Sequence, residues 1–303
     1  MRGAKSAGVG RQLPLLVTGI LLPALLAFAW WSYREVKSIA TVAAGERLRG
    51  VAREVAELSR GTAAARTGQL RAAAADTAIR AFLRAPAAGG EAPALAVLRR
   101  LGGPADPEPA VELWNEVGAR VLVTGPVANE AMRAESQSLF RTLAPNDTVR
   151  HGPFHSVAGG VHYWVIARVR DGERVIGSIV QRRRIANSAT SVRQLREQFG
   201  ENVTIYFASA GSSLWTDLTG APSAGPVAPV PSGQAVRYAR EGGRRYSAAT
   251  APVPGTPWLV VADEPESAAD ARPRAFLMRA LAIAAALTVL GAATAWWVGR
   301  PSV

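Results

Sequence analysis

The chain has 303 residues, enough for one large or two ordinary domains, and is 49% hydrophobic and only 19% charged. Its formal net charge of +12 rests on arginine, Lys5 and Lys37 being the only lysines. Those arginines are scattered and lack the aromatic-interleaved patch of a nucleic-acid binder, so no nucleic-acid partner is expected. The absence of cysteine excludes a disulfide scaffold, a thiolate metal site and a cysteine nucleophile.

Leu13 to Tyr33 reads LPLLVTGILLPALLAFAWWSY, 21 residues without a charge. At about 1.5 Å per residue a helix of that length covers a hydrocarbon core about 30 Å thick. Trp30, Trp31 and Tyr33 stand at its outer end, where amphipathic rings favour the lipid–water interface. Arg2, Lys5 and Arg11 precede it and predict a cytoplasmic N-terminus. The competing reading is a cleaved signal peptide with Ala27-Phe28-Ala29 as its site. The length of the run and its continuation through two tryptophans favour an uncleaved anchor.

Residues 34 to about 84 read as one helix. Leu48, Val51, Val55 and Leu58 recur at helical spacing, and Leu70, Ala74, Ala78 and Phe82 continue the stripe. A helix this long cannot bury itself, so it predicts packing against the rest of the domain, a second copy of itself, or both. Pro86, Gly89-Gly90 and Pro93 end it, and a short helix follows near Leu95 to Leu101.

The period then becomes strand-like. VELWNEVGARVLVTG (111–125) reads as strand, turn, strand, and residues 128–143 as helix. VHYWVIARVRDGERVIGSIVQRR (161–183) gives two strands around Asp171-Gly172, a strong hairpin signal. SATSVRQLREQF (188–199) is a helix stopped by Gly200. The strand pattern restarts with VTIYFASAGSSLWTDLTG (203–220), and residues 235–265 supply three more strands. A unit is thus written twice, near 110–185 and 202–264, and antiparallel sheets of this size need helices packed on one face. A second charge-free run, Ala280 to Gly299, again closes on two tryptophans. Asp263, Glu264, Glu266, Arg272 and Arg274 before it read as an interfacial anchor.

The phrases VELWNEVGARVLVTG, VIARVRDGERVIGSIV, IYFASAGSSLWTDLTG and YSAATAPVPGTPWLVVADEP, set between two membrane runs, resemble a double Cache sensor domain. The resemblance covers about 34 to 265. It implies an α+β fold of two PAS-like antiparallel-sheet modules behind a long N-terminal helix, flanked by two membrane helices. The implied layout is a cytoplasmic N-terminus at 1–12 and a membrane helix at 13–33. The stalk and short helix take 34–109, the membrane-distal module 110–200 and the membrane-proximal module 201–272. A second membrane helix occupies 273–299, and residues 300–303 begin a HAMP-like cytoplasmic linker. It further implies the sensory region of a bacterial inner-membrane receptor, a homodimeric histidine kinase or chemoreceptor, with a periplasmic small-molecule pocket in the distal module. The Arg-x-Trp-Tyr phrase of amino-acid-binding members is absent, so amino-acid specificity is not implied.

The residues offered for ligand contact are Arg150, His151, His155, Tyr163, Trp164 and Arg168. Tyr163 and Trp164 can present ring faces, and Arg150 and Arg168 a guanidinium, to a carboxylate. His151 and His155 can share a strand face by the two-residue period. No carboxylate stands at ligand spacing from the three histidines, so neither a metal nor a cofactor is expected. Trp114, Trp215 and Trp258 read as core. No nucleophile elbow, Walker loop, dinucleotide turn or HExxH occurs, so no catalysis is expected within these residues. The rival to a sensor is a membrane-tethered cell-envelope interaction protein without a small ligand.

Overall fold

Apolar side chains recur along one side of the first helix, and a computed structural model of the chain shows what they cover. It describes residues 9–102, 110–125, 134, 137–138, 148–157, 159–185, 189–223, 225–226, 233–240 and 242–298. Helix α1 runs Val9–Ala74. Leu48, Val51 and Val55 are buried as their spacing predicts, and Ala52, Ala56 and Ala63 complete the face. Leu58 is instead 57% exposed. At about 100° per residue it sits about 80° from Leu48, and the buried face bends the other way, toward the alanines. The helix does not continue to residue 84. Asp76 interrupts it, its side chain accepting the Ala78 N–H at 2.8 Å, and α2 (Thr77–Arg84) starts from that cap. The break resets the helical phase, which is how Leu70, Ala74 and Phe82 bury together despite a spacing that drifts. Helix α3 spans Glu91–Leu101.

The chain divides into two units, residues 47–264 and residues 1–46 with 265–303. The first holds two antiparallel sheets. Strands β1 (Ala110–Asn115), β2 (Arg120–Thr124), β3 (Val149–Val157), β4 (Gly160–Asp171) and β5 (Arg174–Arg184) lie in the order β2-β1-β5-β4-β3. The β4–β5 hairpin turns where expected, with Gly172 at φ 58°, a backbone region that favours glycine. Strand β3 supplies the strand that the sequence reading gave to His151 and His155 without bounds. The helix expected at 128–143 falls almost wholly outside the described residues. Helix α4 (Ala189–Phe199) precedes β6 (Thr204–Ser209), β7 (Trp215–Asp217), β8 (Pro222–Ser223), β9 (Ala235–Ala239), β10 (Arg245–Pro252) and β11 (Trp258–Pro265). Their order, β8-β7-β6-β11-β10-β9, repeats the first sheet's permutation with one extra edge strand.

Each sheet buries one face against helices. Leu48, Val51, Val55 and Ala63 of α1 pack on Ile205, Ala249, Ala251, Val260 and Ala262 of the second sheet. Leu70, Ala73 and Ala74, with Phe82 and Leu98, pack on Leu113, Val165, Ala167 and Ile179 of the first. Burying each leucine-sized side chain contributes about 1.5–3 kcal/mol. Strand β5 approaches β1 and α2 closely at Gly177, where a Cβ would fall 2.3 Å from the Trp114 carbonyl and 2.8 Å from Leu83. The sheets meet through the Trp258 indole donating to the Gly152 carbonyl (3.0 Å), the Phe154 N–H donating to Ser209 Oγ (2.7 Å), and the Val161 N–H donating to the Gly220 carbonyl (2.9 Å).

The other unit contains α5 (Glu266–Ala269) and α6 (Ala271–Val298). Lys37 donates to Asp270 at 3.0 Å, and Arg274 lies 3.7 Å from the same carboxylate oxygen. Among the described residues one helical segment, Glu266–Gly291, is long and apolar enough to cross a membrane. The apolar run at 13–33 forms part of α1, and its side chains before Gly19 lie outside the described part. Asp263 and Glu264 are not an interfacial anchor. Both are buried at the end of β11, Glu264 paired with Arg47 and Asp263 with Arg240.

Candidate functional site

Side chains alternate along β4, so its two faces have separate duties. Tyr163, Val165, Ala167 and Val169 face the helices. His162, Trp164, Ile166 and Arg168 face the other way, and there Trp164 and Ile166 cluster with Trp114 of β1 and Val180 of β5. Cross-strand pairs extend this outer face: His155 lies opposite His162, Arg150 opposite Ile166, Arg182 opposite Trp164, and Ser178 opposite both Trp114 and Arg168.

The structure brings four of the six predicted residues onto this face: Arg150, His155, Trp164 and Arg168. The His155 ring stacks on Trp164, centroids 5.3 Å apart and planes 15° from parallel. Arg150 is exposed at the strand's start. His151 and Tyr163 lie on the opposite face. Tyr163 meets the Trp258 ring edge-on at 4.7 Å. His151 Nε2 shares a 3.0 Å hydrogen bond with Thr67 Oγ1 on α1, and its ring meets Trp258 at 5.2 Å. The two-residue period that would unite His151 with His155 fails because the register slips between His151 and Phe154. Proline at 153 has no N–H to offer the ladder, and a bulge there turns the strand over.

Five residues of this face escaped the sequence reading or were read differently. Trp114, taken as core, is buried and its indole donates to the Glu112 carboxylate at 2.8 Å. Arg120 donates to the other Glu112 oxygen at 3.4 Å. Arg182 is buried beside Trp164, and Ser178 is buried next to Trp114. The alternation of β1 and β5 is legible in sequence, but their pairing joins segments about seventy residues apart, and register fixes which side chains meet.

The face is basic and polar. Burial lowers His155 to about 4, with His162 and Arg182 adding like-charge repulsion. Burial likewise lowers His151 to about 4, against a weaker upward pull from the Ala63 backbone. Both rings are therefore neutral at pH 7. The Trp164 indole N–H and the Ser178 hydroxyl are buried without a hydrogen-bond partner in the protein, and the His155 ring is held by the Pro153 backbone. Leaving such a group unsatisfied costs about 1–3 kcal/mol. A platform of stacked rings with convergent donors and arginines suits a small polar ligand carrying negative charge. Among the described residues no group of three or more histidine, aspartate or glutamate side chains is set to hold a metal.

No protein-family model matches the sequence, and no curated protein matches it. Solved structures share its fold. The ligand-binding domain of the Pseudomonas aeruginosa amino-acid chemoreceptor PctC, in complex with GABA, superimposes with a TM-score of 0.51 at 13% identity, covering 73% of this chain and 99% of that one. The extracellular domain of rpHK1S-Z16, a candidate histidine kinase, gives 0.51 at 15% identity over 77% and 99%. The ligand-binding domain of the Pseudomonas fluorescens chemoreceptor CtaA, in complex with L-isoleucine, gives 0.50 at 10% identity over 78% and 94%. With its long N-terminal helix and two antiparallel sheets, the chain has the fold of the Cache-type ligand-binding domains of bacterial receptors.

Proposed function

We propose that this chain is the ligand-sensing, membrane-anchored region of a bacterial receptor, and that the outer face of its first sheet binds a small carboxylate-bearing molecule. One observation carries the reading. In a fold shared with ligand-binding domains, the buried Trp164 indole N–H and Ser178 hydroxyl, both without protein partners, share one ring-lined face with arginines. Trp164 and His155 supply the stacking platform, and Arg168 and Arg182 the positive charge. The apolar run at 13–33 and helix α6 both cross the inner membrane, leaving the sheets in the periplasm and both termini in the cytoplasm. Two copies pair along α1, whose Leu58 is exposed. Ligand binding shifts α6 and so biases a cytoplasmic histidine kinase or chemoreceptor output beyond a HAMP linker. The residues present here carry no catalysis of their own. The ligand drives this only through unequal affinity for two states of the receptor.

The test is a thermal-shift screen of the full chain in nanodiscs against organic acids, amino acids and amines. The expected result is a saturable rise in melting temperature with a carboxylate, lost in W164A and in R168A. A screen with no response from any compound refutes the reading and favours an envelope protein that binds partner proteins.

A further inference from the structure

The second sheet has an outer face too, and it is built for the opposite charge. The repeated strand order makes β6, β9, β10 and β11 the counterparts of β1, β3, β4 and β5. Where the first sheet presents tryptophan, histidine and arginine, the second presents Tyr206, Tyr238, Tyr246 and Asp263. The Arg240 guanidinium sits among them, 4.3 Å from the Tyr246 ring centre, 5.3 Å from Tyr206 and 5.9 Å from Tyr238. It donates to the Tyr206 hydroxyl at 2.9 Å and to the Asp263 carboxylate, and its Nε donates to the Tyr238 hydroxyl at 3.2 Å. Tyr238 in turn donates to Asp263.

We propose that this cage is a binding site for an organic cation, a guanidinium or quaternary ammonium, and that Arg240 occupies it as a tethered stand-in. The electron-rich faces of three tyrosines over a carboxylate are the groups that recognise such cations. Two observations separate it from a purely structural ion pair. The Asp263 side chain is fully buried, yet its Oδ1 has no hydrogen-bond partner, so the cage holds more acceptor capacity than Arg240 uses. The Arg240 side chain is still 24% exposed, so the cage opens to solvent where its occupant enters. Arg240 stands just past the last residue of β9, the edge strand, where the chain turns through Gly242 and Gly243 at φ 90° and 73°; its N–H donates to the Arg244 carbonyl and its carbonyl accepts from the Gly243 N–H, both at 3.0 Å, so vacating the cage takes a rotation of its side chain alone. Burial raises the Asp263 carboxyl, and the Tyr238 hydroxyl and Arg240 pull it back down. None of this depends on the first sheet.

A tethered occupant competes at an effective concentration in the millimolar range, so removing it raises the apparent affinity of a free cation at least about tenfold. The test uses the full chain in nanodiscs, titrated with methylguanidinium and tetramethylammonium to about 20 mM at constant ionic strength, with melting temperature as readout. The expected result is a saturable rise in the wild type, at least about tenfold tighter in R240A or R240Q, and lost in D263N. Y246A keeps the ion pair and removes the nearest ring face, so it weakens binding even if neither arginine variant folds. Equal affinity in the wild type and both arginine variants, persistence of the response in D263N, or no effect of Y246A overturns the proposal. So does a response seen only in the arginine variants, which makes Arg240 a fixed plug.

Discussion

Acid should destabilise this protein in a specific window, and two histidines set its edges. His151 and His155 titrate at about 4 in the folded chain because burial penalises the imidazolium, while the unfolded rings titrate near 6.5. As pH falls, the unfolded state takes up these protons first, so stability present above about pH 6.5 is lost down to about pH 4. At about pH 4.5 the loss is about 2.5 kcal/mol per ring, from the ratio of the two binding polynomials. For a domain of this size that is a fall of about 5–10 °C in melting temperature for each histidine. The assay is thermal unfolding of the full chain in nanodiscs, followed by tryptophan fluorescence between about pH 7 and pH 4.5, for the wild type, H151Q and H155Q. Each variant should begin less stable and then lose less on acidification, its pH slope shallower by one ring's share. The outcome that refutes the reasoning is parallel slopes in all three proteins. Carboxylates would then govern the acid limb, and the burial of the two rings would be relieved by local opening.

Two further outcomes rest on single contacts. D76A removes the cap that starts α2 and should cost about 1 kcal/mol, read as a lower denaturant midpoint, with D76S retaining most of the stability. G177A forces a methyl group to 2.3 Å from the Trp114 carbonyl and should cost about 1–3 kcal/mol by thermal melting.

The fold was legible wherever local pattern and turn chemistry agreed. VIARVRDGERVIGSIV alternates on both sides of Asp-Gly, and β4 and β5 form there. The second set of strands was readable for the same reason, as was the repeat. Strand β3 was legible only as a strand through His151 and His155; its bounds and bulge were not, because Gly152 and Pro153 interrupt its alternation, and that bulge parted the two histidines. Leu58 misled because a spacing of three and four residues fixes a side of the helix only to within about 80°. The candidate site was half legible. Trp164 and Arg168 follow from one strand's period, but Trp114 joins them only through the β1–β5 pairing. Asp263 was invisible for a sharper reason. Beside two glutamates and near an apolar run it has the composition of a surface anchor, and its partner, Arg240, arrives from 23 residues upstream, just past the end of another strand.

Helix α1 meets the two cores in the reverse of chain order. Its earlier stretch, Leu48 to Ala63, completes the second sheet, and its later stretch, Leu70 to Ala74, completes the first. The part of the helix that emerges early in synthesis must therefore wait for β11, about two hundred residues later, before its apolar side is covered. Contacts so distant in sequence fold slowly, since the loop between them must close before burial rewards it. Until then Leu48, Val51 and Val55 form a sticky strip on an emerging chain, the kind of surface that chaperones hold. The long helix thus has two sheets to close on, and the one it reaches with its earlier residues is the later to be made.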